Sequence, residues 1–223
     1  LLSGGFGSLA VYANGSISLS KAVHLDLAPK TSLALTAHEV SVAGDIVSPG
    51  GSVSLTGRAT IDHLDTDAPT AMVERLPGTR VDLAGKWVND VLDPAALKFE
   101  LVAIKGGSFT ASAAGTTRLG EGTLIDVSGG AWLTGTPLKQ KTAAGDAGSI
   151  RLQATFPLVN PIGSIEAPAG NPLLIEGELR GYALGQAKGG KLALVTSRVS
   201  IGLSLIHISE PTRRTPISYA VFC

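Results

Sequence analysis

Residues 78–87 read GTRVDLAGKW and residues 122–132 read GTLIDVSGGAW. Both follow Gly-Thr-x-Val/Ile-Asp-Leu/Val-Ala/Ser-Gly, and a tryptophan, Trp87 or Trp132, stands just beyond each. The copies begin 44 residues apart. A short phrase written twice in one chain points to a repeated structural unit before it points to a site.

A second phrase joins the first. It is a glycine, a small or polar residue, then alternating apolar positions: GSVSLTG at 51–57, GGSFTASAAG at 106–115, GSIRLQA at 148–154 and GGKLALV at 189–195. The residues after the glycine are Ser52, Ser108, Ser149 and Lys191, the last three spaced by 41 and 42. The first phrase has looser echoes, GDIVSPGG at 44–51 and GSIEAPAG at 163–170. Together they predict a 41-residue unit holding two coils of about 20 residues each, a period typical of solenoids.

Within the phrases, Val53 and Leu55 alternate with Ser52 and Ser54, and Val40 and Val42 with Ser41 and Ala43. Period two with β-branched residues marks half-buried strands. Glycine, proline, asparagine or serine ends each run after four to six residues. This predicts an all-β parallel β-helix whose strands pair with the next coil at about 4.8 Å. An antiparallel sandwich also has many short strands, but it does not require a fixed two-phrase period. The expected core includes Val53, Leu55, Val81, Leu83, Ile125, Val127, Ile150, Leu152, Leu192 and Leu194. In the opening phrase, Thr79, Thr123 and the two aspartates are expected to face water. Gly85 and Gly129 are expected to turn the backbone free of a Cβ penalty.

The strand pattern stops at Gly202. Residues 203–223, LSLIHISEPTRRTPISYAVFC, hold the only cysteine, Cys223. Their wording resembles a translated sequencing-library adapter of the transposase type over all 21 residues, which implies a non-native tail and excludes it from fold reasoning. The whole chain carries 18 basic and 18 acidic side chains. Without Arg213, Arg214 and Glu210 the remainder holds 16 against 17, a net charge of about −1. Near-neutrality gives no electrostatic case for nucleic acid or anionic lipid. The lack of further cysteine excludes a disulfide framework. No apolar run approaches the roughly 20 residues of a membrane-spanning helix.

The expected organisation is a β-helix over 1–202 with excursions near 58–77, 89–105 and 133–147. The second contains Asp93-Pro94, a helix-start signal that predicts a short helical turn over 93–99. The third reads as a polar loop, and 148–202 as two to three further coils. The LLSGGFG start has no basic region or cleavage site, and no polar capping coil is visible. The chain therefore reads as a piece of a longer frame.

The runs ANGSISLS, HEVSVAGDIVSPGGSVSLTG, GTLIDVSGGAWL and ELRGYALGQAKGGKLALV, with GKWVND at 85–90, resemble the filamentous-haemagglutinin-like exoproteins of Gram-negative bacteria. The resemblance covers most of 1–202. It implies a right-handed parallel β-helix and a shaft segment of a secreted, cell-surface adhesin. It also implies export by an outer-membrane partner transporter and a host-cell or surface receptor, with no enzymatic role. The secretion-recognition segment of that family has no match here. Two other classes share the architecture: carbohydrate-active β-helix enzymes (polysaccharide lyases or hydrolases) and autotransporter passengers.

Candidate chemistry is sparse. The densest polar cluster, Asp62-His63-Leu64-Asp65-Thr66-Asp67, lacks the glycine turn of a calcium loop and reads as a solvated loop. His24 and His38 alternate with apolar residues and are expected to face outward. Asp82 and Asp126 occupy equivalent places, which would suit paired acid–base carboxylates on neighbouring coils. Each lies between inward residues, however, on an exposed strand face, and Glu166 in the looser echo is shifted. Trp87 and Trp132 would stack on sugar rings or, more simply, pack over a coil edge. No glycine turn has the phosphate-loop or dinucleotide pattern. No catalytic, cofactor-binding or metal-ligating residue is assigned, and no cofactor is expected. Deleting 203–223 is expected to leave the melting temperature unchanged; a large drop would show that the tail packs on the coils.

Overall fold

A strand of four to six residues with one apolar face cannot bury that face alone, so it must stack on copies of itself. The computed structural model describes residues 5–58, 71–91, 103–136, 138–154 and 173–196. Strands β1 (Ser8–Tyr12), β2 (Ser16–Leu19) and β3 (His24–Asp26) make the first coil. The second is β4 (Ser32–Ala37), β5 (Glu39–Val42) and β6 (Asp45–Val47). The third is β7 (Ser52–Gly57), β8 (Ala71–Arg75) and β9 (Arg80–Asp82). After β10 (Trp87–Asn89) comes the fourth, β11 (Ser108–Ala113), β12 (Gly115–Leu119) and β13 (Leu124–Asp126). Strands β14 (Ala131–Thr136) and β15 (Lys139–Ala144) precede the fifth: β16 (Ser149–Ala154), β17 (Leu173–Ile175) and β18 (Glu178–Arg180). Strand β19 (Lys191–Thr196) follows.

Each coil gives one strand to each of three sheets. Their orders are β1-β4-β7-β11-β16-β19, β2-β5-β8-β12-β17 and β3-β6-β9-β13-β18. Every pair within these sheets is parallel. The chain is a parallel β-helix, with no α-helix among the described residues.

The interior is a set of in-register ladders. Leu33, Val53, Phe109 and Ile150 lie above one another in the first sheet, and Leu35, Leu55, Ala111 and Leu152 form the next rung set. The large Phe109 sits beside the small Ala111, so coil volume is kept while its distribution changes. In the third sheet Leu25, Ile46, Val81, Ile125 and Leu179 stack in the same way. Val53, Leu55, Val81, Leu83, Ile125, Val127, Ile150 and Leu152 are all buried as expected. Leu192 is not: it is 40% exposed, and Leu194 only partly buried. Both lie on β19, which among the described residues has a paired strand on one side only.

Several expectations need correction. Ser32 to Ser52 is one coil of 20 residues, but the next steps in the same ladder, to Ser108, Ser149 and Lys191, are far longer. The 41-residue spacing is therefore one coil plus an insertion, and the two phrases are two sheets of that single coil. Residues 148–196 accordingly supply one coil and a strand, not two to three coils. Ala71–Arg75, placed in an excursion, is a regular strand of the second sheet. The polar loop at 133–147 is largely strand: β14 and β15 pair antiparallel as a hairpin, beside β10 in a small lateral sheet. The strand paired with Leu124–Asp126 is Glu178–Arg180, not the 163–170 echo. That echo, the Asp62–Asp67 cluster, the helical turn at 93–99 and residues 203–223 lie outside the described residues.

The glycines of the opening phrase divide their work differently from expectation. Gly78 and Gly122 are the left-handed ones, at φ 71° and 69°. Gly85 and Gly129 are needed for closeness instead. A Cβ on Gly85 would run into the Ile104 carbonyl, and one on Gly129 into the Gly145 carbonyl. The threonines also differ. Thr79 and Thr123 are buried, and both hydroxyls donate to the Leu76 carbonyl, at 2.8 and 3.2 Å.

Among the described residues one charged side chain lies inside. Arg75 is fully buried at a ladder position filled by Val42 and Leu119 in the adjoining coils. Its guanidinium donates to the Gly44 carbonyl at 3.0 Å and the Arg80 carbonyl at 3.4 Å, while Nε has no partner among the described residues. Burial pushes its pKa down to about 10, partly opposed by the nearby Asp45 carboxylate. The side chain thus stays charged at neutral pH, where the lowered pKa marks a cost to folding. That cost is relieved only as pH rises above about 10.

Two sets of substitutions test this packing. Ile125→Asp places an unpaired charge in a full ladder and is expected to abolish cooperative thermal unfolding. Leu192→Ala should cost less than about 1 kcal/mol; equal damage from both would refute the burial gradient. Arg75→Met is expected to be neutral or stabilising, as hydrophobic replacement of a buried charge often is. Arg75→Ala should destabilise by leaving a cavity. A large melting-temperature loss in Arg75→Met would mean that the two carbonyl contacts outweigh desolvation.

Candidate functional site

Three of the polar residues singled out by sequence, His24, Asp82 and Asp126, lie on the outward face of the third sheet. Period two puts Ile46, Val81, Ile125 and Leu179 inside, so their strand neighbours must point to solvent. One outer ladder runs His24, Asp45, Arg80, Leu124 and Glu178; the other runs Asp26, Val47, Asp82, Asp126 and Arg180.

Asp82 and Asp126 are direct cross-strand neighbours, as their equivalent places suggested. Each carboxylate is already engaged by its own turn. Asp82 Oδ1 accepts from the Ala84 amide at 3.1 Å, and Asp126 Oδ1 from the Ser128 amide at 2.9 Å. Accepting from the amide two residues on is the local turn that aspartate favours. This explains the repeated Asp-x-Ala/Ser wording: the carboxylate ends the strand and starts the corner. Asp82 also accepts from Arg80 at 2.6 Å, and Glu178 from Arg180 at 2.6 and 3.0 Å. The latter bonds raise the Arg180 pKa. Cations thus sit beside both ends of the stacked carboxylates and offset their repulsion.

His24 is exposed and lies 3.5 Å from Asp45, whose other oxygen accepts from the Arg80 amide at 2.8 Å. His38 is half-buried, and its Nδ1 lies 3.1 Å from the Arg58 carbonyl. Among the described residues no group of three or more histidine, cysteine, aspartate or glutamate side chains converges as metal ligands would.

The tryptophans are not equivalent. Trp87 pairs with Ala131, and Trp132 with Val88. That one-residue offset sends the two rings to opposite faces. Trp132 is half-buried, and its indole N–H donates to Asp90 Oδ2 at 2.7 Å. Trp87 is 70% exposed, so the packing expected of it is not found. Counting from the aspartate would have revealed the slip, because GKW and GGAW differ by one residue. Arg75 was equally readable: in AMVER it continues the inward alternation of Ala71 and Val73.

No protein-family model, no curated protein and no solved structure matches this chain. Among the described residues no helix is long and apolar enough to cross a membrane.

If Asp82 and Asp126 are turn residues, their amide analogues should serve almost as well. Asp126→Asn is expected to shift stability by less than about 0.5 kcal/mol, whereas Asp126→Ala should cost on the order of 1 kcal/mol through the lost amide bond. Thermal unfolding of both variants checks this. Equal loss in both would assign the stabilisation to charge rather than to the turn.

Proposed function

We propose that this chain is a structural shaft segment of a large secreted bacterial adhesin. It reaches the cell surface through an outer-membrane partner transporter, and the full-length protein attaches to a host-cell or surface glycan or protein. The resemblance to filamentous-haemagglutinin-like exoproteins supplies the adhesin. The observation that carries the structural role is the fate of the repeated polar residues. Asp82, Asp126, Thr79 and Thr123 all bond to the backbone of their own coil or the adjoining one. Residues so engaged extend a rod, and repetition of them makes length. The carbohydrate-enzyme reading draws less support, since its best carboxylate pair is held by turn amides and flanked by arginines.

Antibody raised against this chain tests the proposal in the source bacterium. Intact cells or culture supernatant should label, and deleting the separate transporter gene should abolish that label. Label confined to the cell interior would refute export. Surface label that survives the deletion would favour a self-transporting passenger.

A further inference from the structure

Where the third sheet hands over to the first, the coils leave an open groove of about 480 Å³. It arises because the corner residues there carry almost no side chain. A Cβ on Gly107 would strike the Gly51 carbonyl, and one on Gly148 the Gly107 carbonyl, so close coil stacking enforces a bare glycine floor. One wall is the ladder Ser52, Ser108 and Ser149, in register on successive coils. The ends are basic: Lys30 at one, Lys188 and Lys191 at the other, with Asp146 between. None of the three ammonium groups is in an ion pair among the described residues. From the coil of Lys30 to that of Lys191 is four strand spacings, about 19 Å.

Lys30 stands out by its backbone. It is the one non-glycine residue with a left-handed φ, 64°, among the described residues. It occupies the third place of the turn Ala28-Pro29-Lys30-Thr31, closed by the Thr31 amide on the Ala28 carbonyl at 3.1 Å. The next coil builds the same turn as Ser48-Pro49-Gly50-Gly51, with Gly50 at φ 65°. Turns with proline second favour glycine third, so the lysine is held at a conformational cost. Its Cγ lies 3.9 Å from where a Gly50 Cβ would be, so the side chain runs over the next coil toward the groove.

We infer that this groove binds an extended acidic polysaccharide, with carboxylates at the lysine-rimmed ends and hydroxyls along the serine and backbone wall between. Three features select that chemistry. The floor is glycine backbone with no large apolar side chain, suited to hydroxylated rings rather than apolar side chains. No aromatic residue lines the groove, which disfavours stacking of single-stranded nucleic acid. Asp146, one coil spacing from the Lys191 end and with Oδ1 accepting from the Lys188 amide at 2.8 Å, would repel a chain charged at every step, such as polyphosphate, while its carboxylate can still accept from sugar hydroxyls. This inference does not rest on the adhesin proposal.

Titration of the full chain with oligogalacturonate by calorimetry tests it, with fully methyl-esterified oligomer and polyphosphate as comparisons. Saturable binding of the free acid, weakened by added salt, is expected, with little binding of the ester. Lys30→Gly is the informative variant. It relieves the turn strain, so its melting temperature should hold or rise while affinity falls by about fivefold or more. Lys191→Ala, at an exposed position of β19, should weaken binding similarly without unfolding, and Lys21→Ala, outside the groove, should not. No saturable binding, equal binding of the ester, tighter binding of polyphosphate, or affinity unmoved in both groove variants would each overturn the inference.

Discussion

The structure depends on one constraint: every coil must present the same inward positions to the coil beside it. Parallel strands at about 4.8 Å spacing leave no freedom to compensate a misplaced side chain within its own layer. Leu25, Ile46, Val81, Ile125 and Leu179 meet it with similar aliphatic volumes. Phe109 and Ala111 meet it by exchanging volume within one strand. Insertions are tolerated because they leave between strands, so β7 and β11 pair in register although 56 residues separate Ser52 from Ser108. The ladder, not the chain spacing, is what the sequence conserves from coil to coil.

The corners carry the polar part of the same constraint. A coil turns three times, and each turn leaves carbonyls and amides that must find partners. Thr79 and Thr123 serve the Leu76 carbonyl, Ser48 Oγ reaches the Ala28 and Thr31 carbonyls, and Asp82 and Asp126 serve amides two residues on. Glycine fills the corner where backbones approach most closely. These demands account for nearly every residue of the duplicated phrase, and they leave the groove rimmed by Lys30, Lys188 and Lys191 as a surface feature with no evident part in packing.

Much of this fold is legible in the amino-acid sequence. Alternation gave the strands, the recurrence of two phrases gave the solenoid, and eight of ten expected core residues are buried. What was not legible was which repeats were neighbours. The first coils are compact while later ones carry insertions, so a 41-residue spacing looked like two coils. The hairpin β14–β15 was missed because LTGTPLKQKTAA lacks the aliphatic face that signals a strand. Arg75 was missed because the charged run around it suggested a loop, although its period-two position pointed inward. The roles of the polar residues were only partly legible. Asp82, Asp126 and Thr79 are explained by local backbone bonds that composition does not reveal, while Lys30 matters through a backbone angle.

The most direct measurement of the ladder is nuclear Overhauser contact at Ile125 in isotope-labelled protein. Parallel in-register stacking predicts amide-to-Hα and methyl contacts from Ile125 to both Val81 and Leu179, each far away in the chain. Strong Hα–Hα contacts between strands adjacent in sequence, with none to Val81 or Leu179, would contradict the β-helix and favour an antiparallel sheet.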